Sequence, residues 1–338
     1  MKSLSFARRG LAVFLLLSLF LALGGCSAYR VEKSTARQAE IVLHAGEHDI
    51  AFEVVNFFYH NYKTVIDGGD DSVWDGPDAE TYHQRLWQRA VEASCELYAI
   101  FDCAEDFGLD PYGRMIEDQM DEAIKAIIDS YPTRRDYIAH LESLYMTDTV
   151  YRLMMRSYLC QQYLLEYSDG VASVSDEKLL AFCEDPEVIN TLCLTVYFAK
   201  DSDTAYRWAQ ERADLIRAAL TDVVTDDDFR AVAKKYATTY TQEMEYGTYM
   251  TLREFRRLCG DPSLSPSIGY TTDALFDTES FLVIRCIPKN FDTIRENPEV
   301  VRSCYLQYLI ENKAADLEES MTLTDAGRNL NQSSFDTV

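Results

Sequence analysis

The chain has 338 residues, with 32 lysines and arginines against 56 aspartates and glutamates, and a formal charge of −24. Such an acidic body excludes nucleic acid as a partner and is repelled by anionic lipid heads within about 8 Å, the Debye length at physiological salt. With 47% hydrophobic residues, the length suffices for one large or two ordinary domains.

The N-terminal residues speak to location. Lys2, Arg8 and Arg9 form a positive segment, and the 13 residues from Leu11 to Leu23 are apolar apart from Ser18. That length suits a signal peptide and is too short to span a bilayer. The sequence Leu23-Gly24-Gly25-Cys26 resembles a bacterial lipobox, in which the cysteine thiol takes a diacylglycerol before cleavage. Residues 1–25 are therefore expected to be a lipoprotein signal peptide and Cys26 the lipidation site. The protein would sit on the outer face of the bacterial cytoplasmic membrane. Removing residues 1–25, which carry three positive and no acidic side chains, takes the formal charge to −27. Attachment must then come from acyl chains, with no polybasic patch to help. Polar residues 26–40 read as a tether.

A short hairpin is predicted over Ile41–Ile50, with Gly46 at the turn. Helices follow. Val55, Phe58, Tyr59, Tyr62, Val65 and Ile66 share one face, and Asp67–Pro77 reads as a Gly/Asp loop. Leu86, Ala90, Ala93, Leu97 and Phe101 stripe a long helix that Gly108 is placed to end. Asp110-Pro111 signals the next helix, buried through Ile116, Met120, Ala123 and Ile127. Tyr131-Pro132 breaks the chain before a helix over Arg134–Leu144. Thr147 caps another helix, which carries Val150, Tyr151, Met154 and Tyr158, and Ser175-Asp176-Glu177 opens a linker helix.

The pattern changes near Asn190. Leu192, Leu194, Val196 and Phe198 alternate as in a strand. Tyr206–Leu220 is an amphipathic helix, and Asp226-Asp227-Asp228-Phe229 opens another that runs to Tyr236. Phe281–Ile287 is a buried strand stopped by Pro288. Asn297-Pro298 starts a last helix with Val301, Cys304, Tyr305, Tyr308 and Leu309 inward, and the polar residues 321–338 read as a flexible tail. The fold class is α+β, mostly α.

Little in the composition points to cofactor or metal chemistry. Asp226, Asp227 and Asp228 stand at a helix start, where carboxylates favour the macrodipole. Asp67-Gly68-Gly69-Asp70-Asp71 lacks the spaced ligands and final glutamate of an EF-hand loop. Neither a phosphate-cradling glycine loop nor a serine elbow is present. Beyond Cys26 there are eight cysteines with no CxxC pair. Most sit among apolar neighbours, and free thiols are expected. No cofactor and no metal are expected.

Four stretches resemble the PrsA/SurA-type extracytoplasmic foldases. Gly46–Glu53 is similar to the entry of their helical domain, with Ile50 shifted by one position. Ala104-Glu105-Asp106-Phe107-Gly108-Leu109 resembles a helix end of that domain. Val174-Ser175-Asp176-Glu177-Lys178-Leu179 is similar to the linker before the isomerase domain, and Asp228–Tyr236 is close to a parvulin helix. The resemblance covers roughly residues 41–320. It implies a helical chaperone domain over 41–185, completed by the helix 297–320, around an inserted parvulin-type prolyl isomerase domain at 187–291.

The departures bear on activity. Parvulin sites usually place one histidine on the first strand and another on the last. Here His44, His48, His60, His83 and His140 all precede the small domain, and Leu282 stands where the family often has histidine. The usual glycine turn is reduced to Tyr246-Gly247-Thr248-Tyr249. A weak pocket around Tyr197, Tyr249 and Phe255 is the remaining expectation for a proline ring. The resemblance implies a membrane-anchored folding factor that binds unfolded exported polypeptides in an apolar crevice between the two domains, using surfaces rich in tyrosine and methionine. Its isomerase domain would be weak or decayed. The alternatives are an active isomerase with a pocket built without histidine, and a non-chaperone binding lipoprotein of envelope assembly.

Overall fold

The computed structural model describes residues 35–67, 71–166, 170–197, 203–221, 223–237, 247–277 and 280–335. The signal peptide, Cys26, most of the tether, Phe198 and Tyr246 lie outside the described residues. The fold is α+β and mostly α.

Strands β1 (Ile41–Ala45) and β2 (His48–Ala51) form the predicted hairpin, with Gly46 at φ 57° in the turn. The left-handed region suits glycine there. Helices α1 (Phe52–Asp67) and α2 (Ala79–Asp106) pack together. The predicted stripe on α2 is buried throughout, from Leu86 to Phe101. Gly108, at φ 77°, lets the Leu109 N–H reach back to the Ala104 carbonyl at 2.9 Å while its own N–H bonds Glu105 O at 2.8 Å. This is a Schellman stop. A 3₁₀ turn, Asp71–Asp75, occupies part of the expected loop.

Helix α3 (Arg114–Ser130) begins later than Asp110-Pro111 suggests. The Asp110 carboxylate accepts from Tyr112 N at 2.9 Å and its carbonyl from Gly113 N at 3.0 Å, so these residues close a turn instead of opening the helix. Its buried line runs through Ile116, Met120, Ile124 and Ile127, with Ala123 at the edge. Helices α4 (Arg134–Ser143), α5 (Asp148–Glu166) and α6 (Asp176–Glu184) follow. Their starts are capped by Thr133, Thr147 and Ser175 hydroxyls that accept backbone N–H groups. On α5, Met155, Cys160 and Leu164 are buried, whereas Met154 and Tyr158 are partly buried.

The second sheet is antiparallel, in the order β4-β3-β6-β5. It comprises β3 (Val188–Tyr197), then, after helices α7 (Asp203–Leu220) and α8 (Asp226–Tyr236), β4 (Thr248–Thr251), helix α9 (Leu252–Cys259), β5 (Leu275–Asp277) and β6 (Ser280–Ile287). Leu192, Leu194, Val196, Phe281 and Val283 pack against Ala213, Ile216, Phe229 and Ala233 of α7 and α8. The expected alternation of β3 is blunted, because Thr191 and Thr195, on either side of the leucines, are buried too. Coverage on both faces is the reason: α9 lies over the other one, through Leu252 and Phe255.

Helix α10 (Phe291–Glu296) leads to α11 (Glu299–Ser320), which runs back along α2. Val301, Cys304, Tyr305, Leu306, Ile310, Ala314 and Leu317 of α11 join the core formed by β1 and α1–α6. Of the flexible tail expected over 321–338, the described part, up to Phe335, is instead folded. Strand β7 (Thr322–Leu323) pairs with β1, helix α12 (Asp325–Arg328) follows, and Phe335 is buried at 1% exposure. Its polar composition hides this, because the docking to β1 runs through the Thr324 hydroxyl on Ile41 O and the Thr324 amide on Val42 O, with one buried ring beyond. Gly327 abuts the Val42 carbonyl so closely that a Cβ would stand 2.0 Å from the oxygen. All eight described cysteines are free, and six are buried. Burial pushes the Cys183 and Cys286 thiols up to about 11 and Cys95, Cys103 and Cys160 up to about 12, which keeps them protonated.

Candidate functional site

Two places bear on function: the face of the second sheet under α9, and the cleft between α9 and α2. On the sheet face, period-two alternation brings Cys193 and Thr195 of β3 beside Ile284 and Cys286 of β6. Thr195 stands directly opposite Leu282, and its hydroxyl lies 3.7 Å from the Cys193 sulfur. No histidine lies on this sheet, since none follows His140 in the sequence.

The three pocket residues expected from the sequence do not meet. Tyr249 pairs with Asn190, which places it on the opposite face of β3 from Tyr197 and roughly 23 Å along the strand, at about 3.3 Å per residue. The Tyr249 ring is buried in the helical core, where its hydroxyl accepts from Asn290 N at 3.0 Å. Phe255 is fully buried, edge-on to Tyr270 with ring centroids 6.1 Å apart. Tyr197 is 44% exposed at the far end of β3. A proline pocket built from these three residues is therefore not formed. What remains of the reduced glycine turn is tightly constrained. Gly247 has φ 85°, and a Cβ there would stand 2.2 Å from Asn190 Oδ1.

Other acidic residues are accounted for structurally. Thr225 and Asp228 form a reciprocal capping box at the start of α8, with the Asp228 carboxyl held low by hydrogen bonds from Thr225. Asp226 accepts from the buried Arg285 at 2.8 Å, and Arg285 also donates to Gly269 O and Val224 O. This clamp ties α8 to the loop before β5. Among the described residues no group of histidine, cysteine and carboxylate side chains is arranged to hold a metal ion.

The cleft encloses about 560 Å³. Arg85, Gln88, Arg89, Glu92 and Glu96 line it from α2 at helical spacing, and Arg253, Arg256 and Arg257 line it from α9. The crevice expected to be apolar is instead walled by charged side chains, with arginine stems supplying its hydrocarbon. Arg257 Nη1 donates to both Glu96 carboxylate oxygens at 3.0 Å. Arg253 reaches α11, donating to Glu311 O at 2.8 Å and Glu318 Oε1 at 2.9 Å, while the Thr251 hydroxyl donates to Glu311 Oε1 at 2.8 Å. Burial raises the Glu254, Glu311 and Glu318 carboxyls above the usual carboxylate range, and nearby arginines oppose the shift. These contacts join the sheet unit to the helical body.

The cleft offers guanidinium donors, carboxylate acceptors and aliphatic stems. Serine, cysteine and histidine are absent from the residues that line it. Binding suits it better than bond chemistry. The sequence signal for its arginines is the Arg253-x-x-Arg256-Arg257 and Arg85-x-x-x-Arg89 spacings, which gather positive charge on two helix faces of a strongly acidic chain.

No protein-family model and no curated protein matches the chain. Among solved structures, it is similar to the foldase protein PrsA from Streptococcus pneumoniae, at 15% identity and a TM-score of 0.27, covering 79% of this chain and 91% of that one. It is also similar to PrsA from Bacillus subtilis, at 12% identity and a TM-score of 0.26 over 84% and 90% of the two chains. A third is the peptidylprolyl isomerase PrsA from Bacillus anthracis, at 14% identity and a TM-score of 0.23 over 66% and 96%. Among the described residues, no helix is long and apolar enough to cross a membrane.

Proposed function

We propose that the protein is a membrane-anchored extracytoplasmic folding factor that holds unfolded exported polypeptides. In this reading residues 187–291 are a parvulin-like unit, inserted in a helical domain of residues 41–185 and 297–320, that has lost its isomerase site. The observation that carries the reading is the cleft between α2 and α9. It encloses about 560 Å³ and is lined by guanidinium donors and carboxylate acceptors able to bond main-chain carbonyls and amides whatever the client sequence. The four stretches that resemble the foldases support it, because they fall on the hairpin, the α2 stop, the α6 cap and helix α8.

The mature chain is expected to delay aggregation of reduced, unfolding α-lactalbumin at equimolar ratio, read by light scattering. An unchanged aggregation curve would sink the holding role and favour a binding lipoprotein without chaperone action. Anchoring is a separate expectation, motivated by Leu23-Gly24-Gly25-Cys26. In a bacterial host, Cys26→Ser should abolish incorporation of a labelled fatty acid, and label retained by that variant would rule out this site.

A further inference from the structure

Phe335 sits in a recess that has more polar machinery than a core position needs. Its ring stacks on Tyr59 at 3.9 Å with an interplanar angle of 9°, and Phe52, His83 and Trp87 surround it at 5.5–6.1 Å. The walls come from α1 and α2, and the occupant comes from the chain's last described residues. Two side chains grip its main chain. His60 Nε2 donates to Phe335 O at 2.8 Å, and Arg37 Nη2 donates to Ser334 O at 3.0 Å, with the guanidinium over the Phe52 ring. His60 is itself stacked on Tyr145 at 3.6 Å. Burial holds its pKa down at about 4, so the ring stays neutral and keeps one N–H for that carbonyl.

An aromatic slot beside donors aimed at successive carbonyls is how extended peptides are read, with main-chain bonds giving affinity and one pocket selecting a side chain. A third group is unspent. Asn56, one turn from both Phe52 and His60 on the same face of α1, is 4% exposed, and its Oδ1 has no hydrogen-bond partner. A buried amide oxygen without a partner is costly. Residues 331–334 close a local turn through Ser334 N to Asn331 O, so the segment can leave without unpairing β7.

We propose that this recess is a binding site for an aromatic residue on an extended polypeptide segment, and that Ser334–Phe335 is its built-in, displaceable occupant. The inference rests on the folding-factor reading and names one site for its clients. The tail then lowers apparent client affinity by the fraction of time that it fills the slot.

The test compares the full mature chain with Phe335→Ala and with a chain ending at Leu330. The probes are a fluorescent Leu-Asn-Gln-Ser-Ser-Phe peptide, its Ala-ended counterpart, and carboxymethylated α-lactalbumin. Both variants should bind the Phe peptide and the unfolded protein about tenfold or more tightly than the full chain, and neither should bind the Ala peptide. Phe335→Ala keeps the test decisive should the shortened chain fail to fold, since it empties only the ring slot. Equal client affinity in all three chains would overturn the inference while leaving the holding function intact. Capture of the tail peptide without tighter client binding would overturn it as a client site. If no chain held α-lactalbumin, both this inference and the reading beneath it would fall.

Discussion

The full chain is expected to leave the isomerisation of Xaa-Pro peptides near its uncatalysed rate. The amide must be rotated out of conjugation across a barrier of about 18–20 kcal/mol. An enzyme lowers it with a dry pocket for the proline ring and polar groups matched to the twisted amide. On the sheet face here, Thr195 opposes Leu282, Phe255 is already packed in the core, and no histidine is available. Each ~1.36 kcal/mol of lost transition-state stabilisation slows the reaction about tenfold. Two missing polar partners, at a few kcal/mol together, should cost several orders of magnitude relative to an intact site. A protease-coupled assay on Ala-Ala-Pro-Phe anilide measures this. Robust turnover that persists after Tyr197→Ala and Phe255→Leu would mean that the catalytic pocket lies elsewhere.

Removing the returning helix should unfold the helical body. Helix α11 places seven apolar side chains, from Val301 to Leu317, in the core shared by α1–α6, and the segment after it adds Phe335. Truncation of a buried isoleucine to alanine costs about 2–5 kcal/mol, against a total stability of about 5–15 kcal/mol for a typical domain. Ile310→Ala, at a position 3% exposed, should therefore lower stability by an amount in that range, read from urea denaturation. Deleting residues 295–338 removes several such contributions at once and should abolish hydrogen-exchange protection over Val55–Phe101. Unchanged protection there would show that the body does not need α11.

Local features were legible in the sequence where a single physical cause dominates. Gly46 and Gly108 mark turns that need positive φ, Thr147 and Ser175 mark caps, and the α2 stripe marks a buried face. Helix α8 is legible to the residue, because Asp226, Asp227 and Asp228 mark its start, where the structure adds a Thr225–Asp228 capping box. Helix α9 was not. Its Phe255 reads in sequence as part of a proline pocket, whereas Leu252 and Phe255 together cover the sheet face.

What only the tertiary structure decided follows from pairing across long separations. The strand register places Tyr197 and Tyr249 on opposite faces, and no local pattern encodes the partner of a strand. The cleft depends on arginines and glutamates more than 150 residues apart, such as Arg257 and Glu96, whose meeting is set by how α11 docks the sheet unit on α2. The end of the chain reads as polar and loose, yet one ring, two carbonyls and a short strand hold it. Composition averages over residues, whereas docking depends on a few of them finding a shaped recess. By itself, then, the sequence determined the acidic character, the helical body and the lack of any histidine after His140. The packing decided which aromatic residues are core, which arginines face a cleft and where the tail goes.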